Sequence, residues 1–185
     1  MSIQEATKQY HTFSDLVESL MLGTVDSEGN PNVSYTPFVI DEDKNIYIFV
    51  SGMSVHTKNL HANGKASAMF VEDEKETKQI FARRRLTYDC TASLVEKDNP
   101  EWMTIADKFA ERFGNIIDAL RNLPDFRIFK LTPYKGLFVI GFGAAYRISG
   151  ENLDDLMHIT GNGHGHSKEQ WKFGRILRQS KAREN

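Results

Sequence analysis

The spacing of apolar residues changes from a helical to a strand-like period near residue 20. Between residues 3 and 20, apolar side chains recur every three or four positions and share one helical face: Ile3, Ala6, Tyr10, Phe13, Leu16, Val17 and Leu20. Apolar segments at 22–25, 32–40 and 46–50 follow, and turn residues such as Ser27–Pro31 separate them. This pattern predicts a helix over 3–20 and then a meander of antiparallel strands.

Alternation of side chains is strongest in the middle of the chain. Within 32–40, Val33, Tyr35 and Pro37 fall on one face. Residues 51–63 indicate a loop and a short helix, 66–71 a strand, and 72–78 a charged loop. Residues 81–95 predict one long strand with these residues on its apolar face: Leu86, Tyr88, Cys90, Ala92 and Leu94. Arg83, Arg85 and Thr87 lie on the opposite face.

The last third combines a helical region with further strands. Pro100 suits the first turn of a helix, whose apolar stripe comprises Trp102, Ile105, Ala106, Phe109 and Phe113 and continues after Gly114 at Ile116, Ile117 and Leu120. Strands are predicted at 126–131 and at 137–148, the latter running through Gly141–Gly143, and a helical turn at 152–159. About six or seven strands with two substantial helices favour a mainly β fold, a small antiparallel barrel with flanking helices.

Composition and charge limit the classes of function. The chain has 185 residues, 40% of them hydrophobic, and a net charge of -2, so we expect a globular protein that does not bind nucleic acid. We divide it into a barrel domain at 1–160 and a His/Gly loop with a basic tail at 161–185. From Lys168 onward, six Lys/Arg face two Glu, which favours either an anion-binding tail or a solvated helix.

The location of the protein is inferred from missing signals. No apolar stretch approaches the roughly 20 residues of a membrane span, and the N-terminus resembles no secretion signal. Cys90 is a single cysteine on an apolar strand face, so we expect it to be buried and to form no internal disulfide. The prediction is a cytoplasmic protein without membrane association.

Three segments carry candidate chemistry. Residues 161–166, Gly-Asn-Gly-His-Gly-His, form either a polar loop or a flexible one whose His164 or His166 binds a metal or haem iron. His56 and Lys58 follow a strand and suit a phosphate or carboxylate, although a solvated loop explains them equally well. His158 is interpreted as structural.

The third segment, residues 81–86, contains three consecutive arginines, and alternation places Arg84 on the other face from Arg83 and Arg85. Arg83 and Arg85 on one strand face suit anionic groups such as a flavin phosphate or a haem propionate. The alternative is a surface ion-pair network with the acidic residues of 72–76. The sequence contains no P-loop, no GxGxxG motif and no Ser-His-Asp spacing, so hydrolases with a nucleophilic serine and classical nucleotide-binding folds lack support.

Taken together, several ordered stretches resemble the haem-utilisation (HugZ/HutZ) family of pyridoxamine-phosphate-oxidase-like split barrels, and its HutZ-like branch most closely. The resembling stretches are 22–26 (LGTVD), 31–38 (PNVSYTPF), 56–60 (HTKNL), 79–88 (QIFARRRLTY), 111–118 (ERFGNIID), 125–126 (DF) and 136–143 (GLFVIGFG). The resemblance runs from about Leu20 to His164.

The resemblance implies a homodimeric, six- to seven-stranded antiparallel split β-barrel that binds haem at the dimer seam. It implies oxidative opening of the porphyrin with release of iron, supported by an electron donor that the sequence does not identify. His164 takes the position of the axial iron ligand, with His166 as the alternative. Asp125 takes that of an aspartate that holds this histidine from the partner subunit, and Arg85 that of an arginine near the haem.

Two other functions remain open at this point. A flavin enzyme of the pyridoxamine-phosphate-oxidase type would bind FMN at the same seam, with Lys58 and Arg83 at its phosphate. A non-enzymatic haem carrier or storage protein would use the same iron ligand without breaking the ring. Haem is therefore the expected cofactor and FMN the alternative.

We expect deletion of residues 168–185 to leave the barrel folded. The segment contains few apolar residues, namely Trp171, Phe173, Ile176 and Leu177. Circular dichroism melting of the full-length and truncated proteins tests this expectation. Since those four residues fall near helical spacing, a large drop in the unfolding temperature would show that the tail packs on the barrel.

Overall fold

The computed structural model describes residues 2–160. The helices are α1 (Ile3–Thr12), α2 (Val55–Asn63), α3 (Pro100–Phe113) and α4 (Ile116–Arg121). The strands are β1 (Ser19–Val25), β2 (Pro31–Ile40), β3 (Ile46–Ser51), β4 (Lys65–Val71), β5 (Arg85–Val95), β6 (Phe126–Gly141), β7 (Ala144–Ser149) and β8 (Asp155–His158). Short 3-10 helices occupy Phe13–Leu16, Glu74–Glu76 and Ile80–Ala82. The predicted loop and tail at 161–185 lie outside the described residues, and the proposed domain division remains a prediction.

All eight strands form one antiparallel sheet in the order β3-β2-β1-β4-β5-β6-β7-β8. A further pairing of β3 with the first part of β6 closes the first six strands into a barrel. The prediction of a mainly β, antiparallel barrel with flanking helices is therefore confirmed. The sheet exceeds the expected six or seven strands because β7 and β8 extend it beyond the closed part.

Large side chains fill the barrel, and a helix covers each end. Phe38 and Phe70 meet edge to face at 4.8 Å inside it. At one end Phe13, just after α1, packs on Phe138 at 5.3 Å. At the other end α2 is tied to β1 by a buried hydrogen bond from Asn59 to Thr24. The barrel interior therefore has little room for a ligand.

A second apolar core lies outside the barrel, under α3 and α4. Pro100 occupies the first turn of α3, as the sequence predicts, and the Asn99 side chain accepts a hydrogen bond from the Glu101 amide at 2.9 Å. The buried members of this core are Val39, Tyr47, Phe49, Val95, Trp102, Ile105, Ala106, Phe109, Ile117 and Ile128. Within residues 2–160, no helix is both long and apolar enough to span a membrane.

Both ends of the described chain differ from the prediction. The helix predicted over 3–20 ends at Thr12, and strand β1 begins at Ser19. Leu20 fits the helical period, but it points into the barrel and its backbone pairs with Thr36 of β2, so strand pairing decides its conformation. The helical turn predicted at 152–159 is strand β8, because its backbone pairs with β7.

The strand boundaries near β5 and β6 also need correction. The long strand predicted at 81–95 begins at Arg85, because a 3-10 turn occupies Ile80–Ala82. The predicted break between the strands at 126–131 and 137–148 is wrong, because β6 runs unbroken from Phe126 to Gly141. The chain turns instead at Gly141–Gly143 and enters β7, and Gly143 has a φ of +67° in this turn. Cys90 is 2% exposed, which confirms that it is buried.

Candidate functional site

Asp125 lies directly before β6 and is held by the end of β3. The Ser51 hydroxyl donates a hydrogen bond to Asp125 Oδ2 at 2.7 Å. The Gly52 amide donates to the Asp125 backbone oxygen, also at 2.7 Å. The pairing of Ser51 with Phe126 in adjacent strands brings these groups together. The carboxylate therefore has a defined position at the half-buried edge of the barrel.

His56 and Lys58 lie on α2, which begins just after the end of β3. The Thr57 hydroxyl donates to the Ser51 backbone oxygen at 2.7 Å and anchors the helix to the end of β3. Burial lowers the pKa of His56 below its usual value. Its Nε2 atom is buried and has no hydrogen-bond partner within residues 2–160. The His56 nitrogen is therefore enclosed by the protein, whereas Lys58 is exposed.

The three arginines at 83–85 have different surroundings. Arg83 pairs with Glu74 at 2.8 Å, and Arg84 pairs with the buried Glu72 at 2.7 Å. Arg85, the first residue of β5, faces outward beside Thr87 and makes no ion pair with residues 2–160. The ion-pair network considered in the sequence analysis therefore exists for Arg83 and Arg84. Arg85 keeps its charge free for an anionic group.

Replacing Arg84 with Met should lower the free energy of unfolding by about 1–3 kcal/mol near neutral pH, because the buried Glu72 carboxylate loses its cation. Burial alone would raise the pKa of Glu72, but the hydrogen bonds and charge of Arg84 outweigh it and hold that pKa below its usual value. A carboxyl of depressed pKa stabilises the fold above its unfolded-state pKa, and this stabilisation disappears as the pH falls through the folded-state pKa. The difference between variant and parent should therefore shrink in acid.

Urea unfolding at several pH values measures this dependence. Lys135→Met is the control, since it removes an exposed ion pair with Asp89 and should leave the free energy of unfolding nearly unchanged at each pH. A difference for Arg84→Met that stays constant down to acid pH would contradict the assigned role of the Glu72 charge.

Arg85 and Asp125 lie at opposite ends of one protomer. Arg85 pairs with Val139 near the end of β6, whereas Asp125 precedes its first residue. At about 3.3 Å per residue, this stretch of β6 spans on the order of 40 Å. Lys58 and Arg83 are separated in the same way. Lys58 lies on α2 at the Asp125 end of the barrel, whereas Arg83 lies close to Arg85 at the opposite end. A single chain therefore does not bring either pair to one ligand.

Between the Arg85 and Asp125 ends, a row of mainly apolar side chains crosses the outer face of the sheet. Successive cross-strand partners form it, and we call it the outer belt: Tyr35, Met21, Met69, Thr87, Leu137, Arg147 and Met157. Tyr35 is 62% exposed and Met21 43% exposed. A partly exposed row of mainly apolar side chains is typical of an interface or a ligand-binding face.

Of the histidines at 158, 164 and 166, the structure describes only His158. His164 and His166 lie outside the described residues. His158 Nε2 is 2.7 Å from the Gly143 backbone oxygen, and its ring packs against Tyr146, as expected for a structural residue. Within residues 2–160, no group of three His, Cys, Asp or Glu side chains could hold a metal ion.

Two features of the site were not identified from the sequence. In the sequence, Ser51 is one of several polar residues of the predicted loop and helix at 51–63. Only the pairing of β3 with β6 identifies it as the partner of Asp125. The alternation of Val33, Tyr35 and Pro37 identifies a shared face of β2. The exposure of that face follows from the closed barrel, which buries the opposite face of the strand.

The chain was compared with protein families and known proteins. The family model for pyridoxamine 5′-phosphate oxidase matches residues 6–140. The haem oxygenase HutZ of Vibrio cholerae serotype O1 is 47% identical over 151 residues, which cover 82% of this chain and 84% of HutZ.

Solved structures show the same barrel. The crystal structure of HutZ, the haem storage protein from Vibrio cholerae, has a TM-score of 0.68 and 43% identity and covers 77% of this chain and 99% of that one. Campylobacter jejuni ChuZ has a TM-score of 0.79 and 31% identity, with 90% of this chain and 67% of ChuZ covered. The chain therefore belongs to the pyridoxamine 5′-phosphate oxidase family, in the group of relatives that includes Vibrio HutZ.

Proposed function

We propose that this protein binds haem and opens its porphyrin ring oxidatively, releasing iron. The observation that carries the proposal is the 47% identity to a haem oxygenase over 82% of the chain. Haem is both the ligand and the substrate in this proposal. The expected location in the cytoplasm and the electron donor remain predictions.

The described residues fit the chemistry of haem. Its flat apolar ring suits the exposed apolar side chains of the outer belt, of which Tyr35 and Met21 are examples. Its carboxylates suit Arg85, whose guanidinium has no acidic partner within residues 2–160.

We infer that the working unit is a homodimer. Arg85 and Asp125 are separated by nearly the whole of β6, so both reach one haem only if two chains contribute. The outer belt lies between them and leaves apolar surface that a second copy would cover. Under this arrangement the Arg85 end of one subunit faces the Asp125 end of its partner.

The residues then have distinct tasks. When bound, haem supplies the redox chemistry through its iron. His164 holds the iron, and Asp125 of the partner subunit accepts the N–H of that imidazole, which orients the ring and raises its basicity. Arg85 holds a propionate or stabilises negative charge that develops near the ring.

Haem titration followed by ascorbate under air tests the proposal. We expect a Soret band on haem binding and its loss once ascorbate and oxygen are both present, because oxidation by oxygen opens the porphyrin ring. HutZ is named both as a haem oxygenase and as a haem storage protein. A Soret band that persists with ascorbate and oxygen would favour storage and overturn the proposed catalysis.

FMN binding is the second candidate, because the family model is that of a pyridoxamine 5′-phosphate oxidase. The proposed phosphate ligands, Lys58 and Arg83, lie at opposite ends of one protomer, and Arg83 already pairs with Glu74. FMN would therefore also require two chains. A flavin spectrum of the purified protein, without a Soret band after haem addition, would favour this function.

A further inference from the structure

We propose that Ser51 is a positioning residue that orients the Asp125 carboxylate toward the histidine ligand of haem. This inference rests on the proposed function, since it concerns how Asp125 performs the task assigned to it there. It assigns a specific role to Ser51 and Gly52, which lie far from Asp125 in the sequence and contact it in the fold.

The hydrogen-bond geometry of Ser51 directs its proton to Asp125. Its Oγ atom accepts a hydrogen bond from the Met53 amide at 3.2 Å and lies 2.7 Å from Asp125 Oδ2. Because a carboxylate only accepts, the single hydroxyl proton must point to Oδ2. Oδ2 is thus engaged, whereas Oδ1 accepts no hydrogen bond from residues 2–160 and is left for an incoming N–H.

The neighbouring glycine holds the backbone of the same residue. The Gly52 amide donates to the Asp125 oxygen at 2.7 Å, and a Cβ atom at position 52 would lie 2.8 Å from that oxygen. This distance is shorter than any normal carbon–oxygen contact, so only glycine permits the approach. Gly52 therefore fixes the backbone of Asp125, and Ser51 selects its side-chain rotamer.

The chemical consequence concerns the strength of one hydrogen bond. A carboxylate that accepts the N–H of a ligating imidazole strengthens the imidazole as a donor to iron only if it keeps the correct orientation. Without the Ser51 hydroxyl, the Asp125 side chain is free to populate its other staggered χ1 wells. The correctly oriented fraction should then fall about threefold, the number of those wells.

The test compares S51A, S51T and S54A in the full-length protein loaded with haem. The readout is the iron–histidine stretching frequency of the ferrous complex, measured by resonance Raman spectroscopy. We expect this frequency to fall in S51A toward that of D125A, with turnover reduced about threefold. S51T keeps a hydroxyl and should restore the parent frequency. S54A is the matched control, because the Ser54 side chain makes no capping hydrogen bond to α2 and should leave the frequency unchanged.

The double variant S51A/D125A separates orientation from a general disturbance of the loop. If Ser51 acts through Asp125, the double variant should have the frequency of D125A alone. A parent frequency in S51A together with a shifted D125A would overturn the role of Ser51 and leave the proposed function intact. An unshifted D125A would overturn the role of Asp125 itself. If S51A does not fold, S51C, which keeps the side-chain shape with a weak donor, replaces it and should show the same fall.

Discussion

Replacing His164 with alanine is expected to abolish haem breakdown and to weaken haem binding. Imidazole is a common protein ligand of haem iron, and its loss leaves the iron without the donor proposed here. His164 also takes the position that the family resemblance assigns to the iron ligand. Haem titration by absorbance and ascorbate-driven loss of the Soret band measure the two effects.

His166→Ala is the matched control, since it removes an identical side chain two positions along the same loop. It should bind haem and turn it over with a milder loss. The prediction for His164 is wrong if His164→Ala keeps a histidine-ligated spectrum and full haem breakdown. In that case a His166→Ala variant without turnover would assign the ligand to His166.

Replacing Met21 with glutamate is expected to convert the proposed homodimer into monomers. Met21 lies in the outer belt, directly between Tyr35 and Met69 of the neighbouring strands. A carboxylate buried there by a partner surface would lose its hydration without gaining a cation. Sedimentation should therefore show the mass of one chain in place of two, and turnover should be lost because Arg85 and Asp125 no longer meet.

Met103→Glu provides the control for this substitution. Met103 is 50% exposed, similar to Met21 at 43%, but it lies on α3, away from the outer belt. We expect this variant to remain dimeric and active. A Met21→Glu protein that sediments as a dimer and degrades haem normally would exclude the outer belt as the dimer seam, and with it the arrangement proposed for Arg85 and Asp125.

Local patterns in the sequence predicted the barrel because they report how each strand is buried. The alternation of Leu86, Tyr88 and Cys90 with Arg85 and Thr87 identifies the two faces of β5, and the structure confirms both. Pro100 at the first turn of α3 is equally local, since its fixed φ and missing N–H suit only that turn. Such signals depend on neighbouring residues and need no information about the rest of the fold.

The boundaries that were wrong involve residues whose local pattern fits two structures. Leu20 suits a helical stripe or a strand, and its pairing with β2 decides for the strand. Residues 155–158 become β8 because β7 offers a free edge of backbone donors and acceptors. Period alone could not decide these cases, since strand formation depends on backbone pairing with another segment of the chain.

By itself, the sequence determined the class of fold, the buried Cys90, the outward Arg85 and, through resemblance, the family and the expectation of haem. Only the tertiary structure decided that Arg83 and Arg84 are used in ion pairs, that Ser51 holds Asp125, and that Asp125 and Arg85 occupy opposite ends of the barrel. The reason is that side-chain alternation depends on adjacent residues, whereas these contacts depend on the register of strands far apart in the chain.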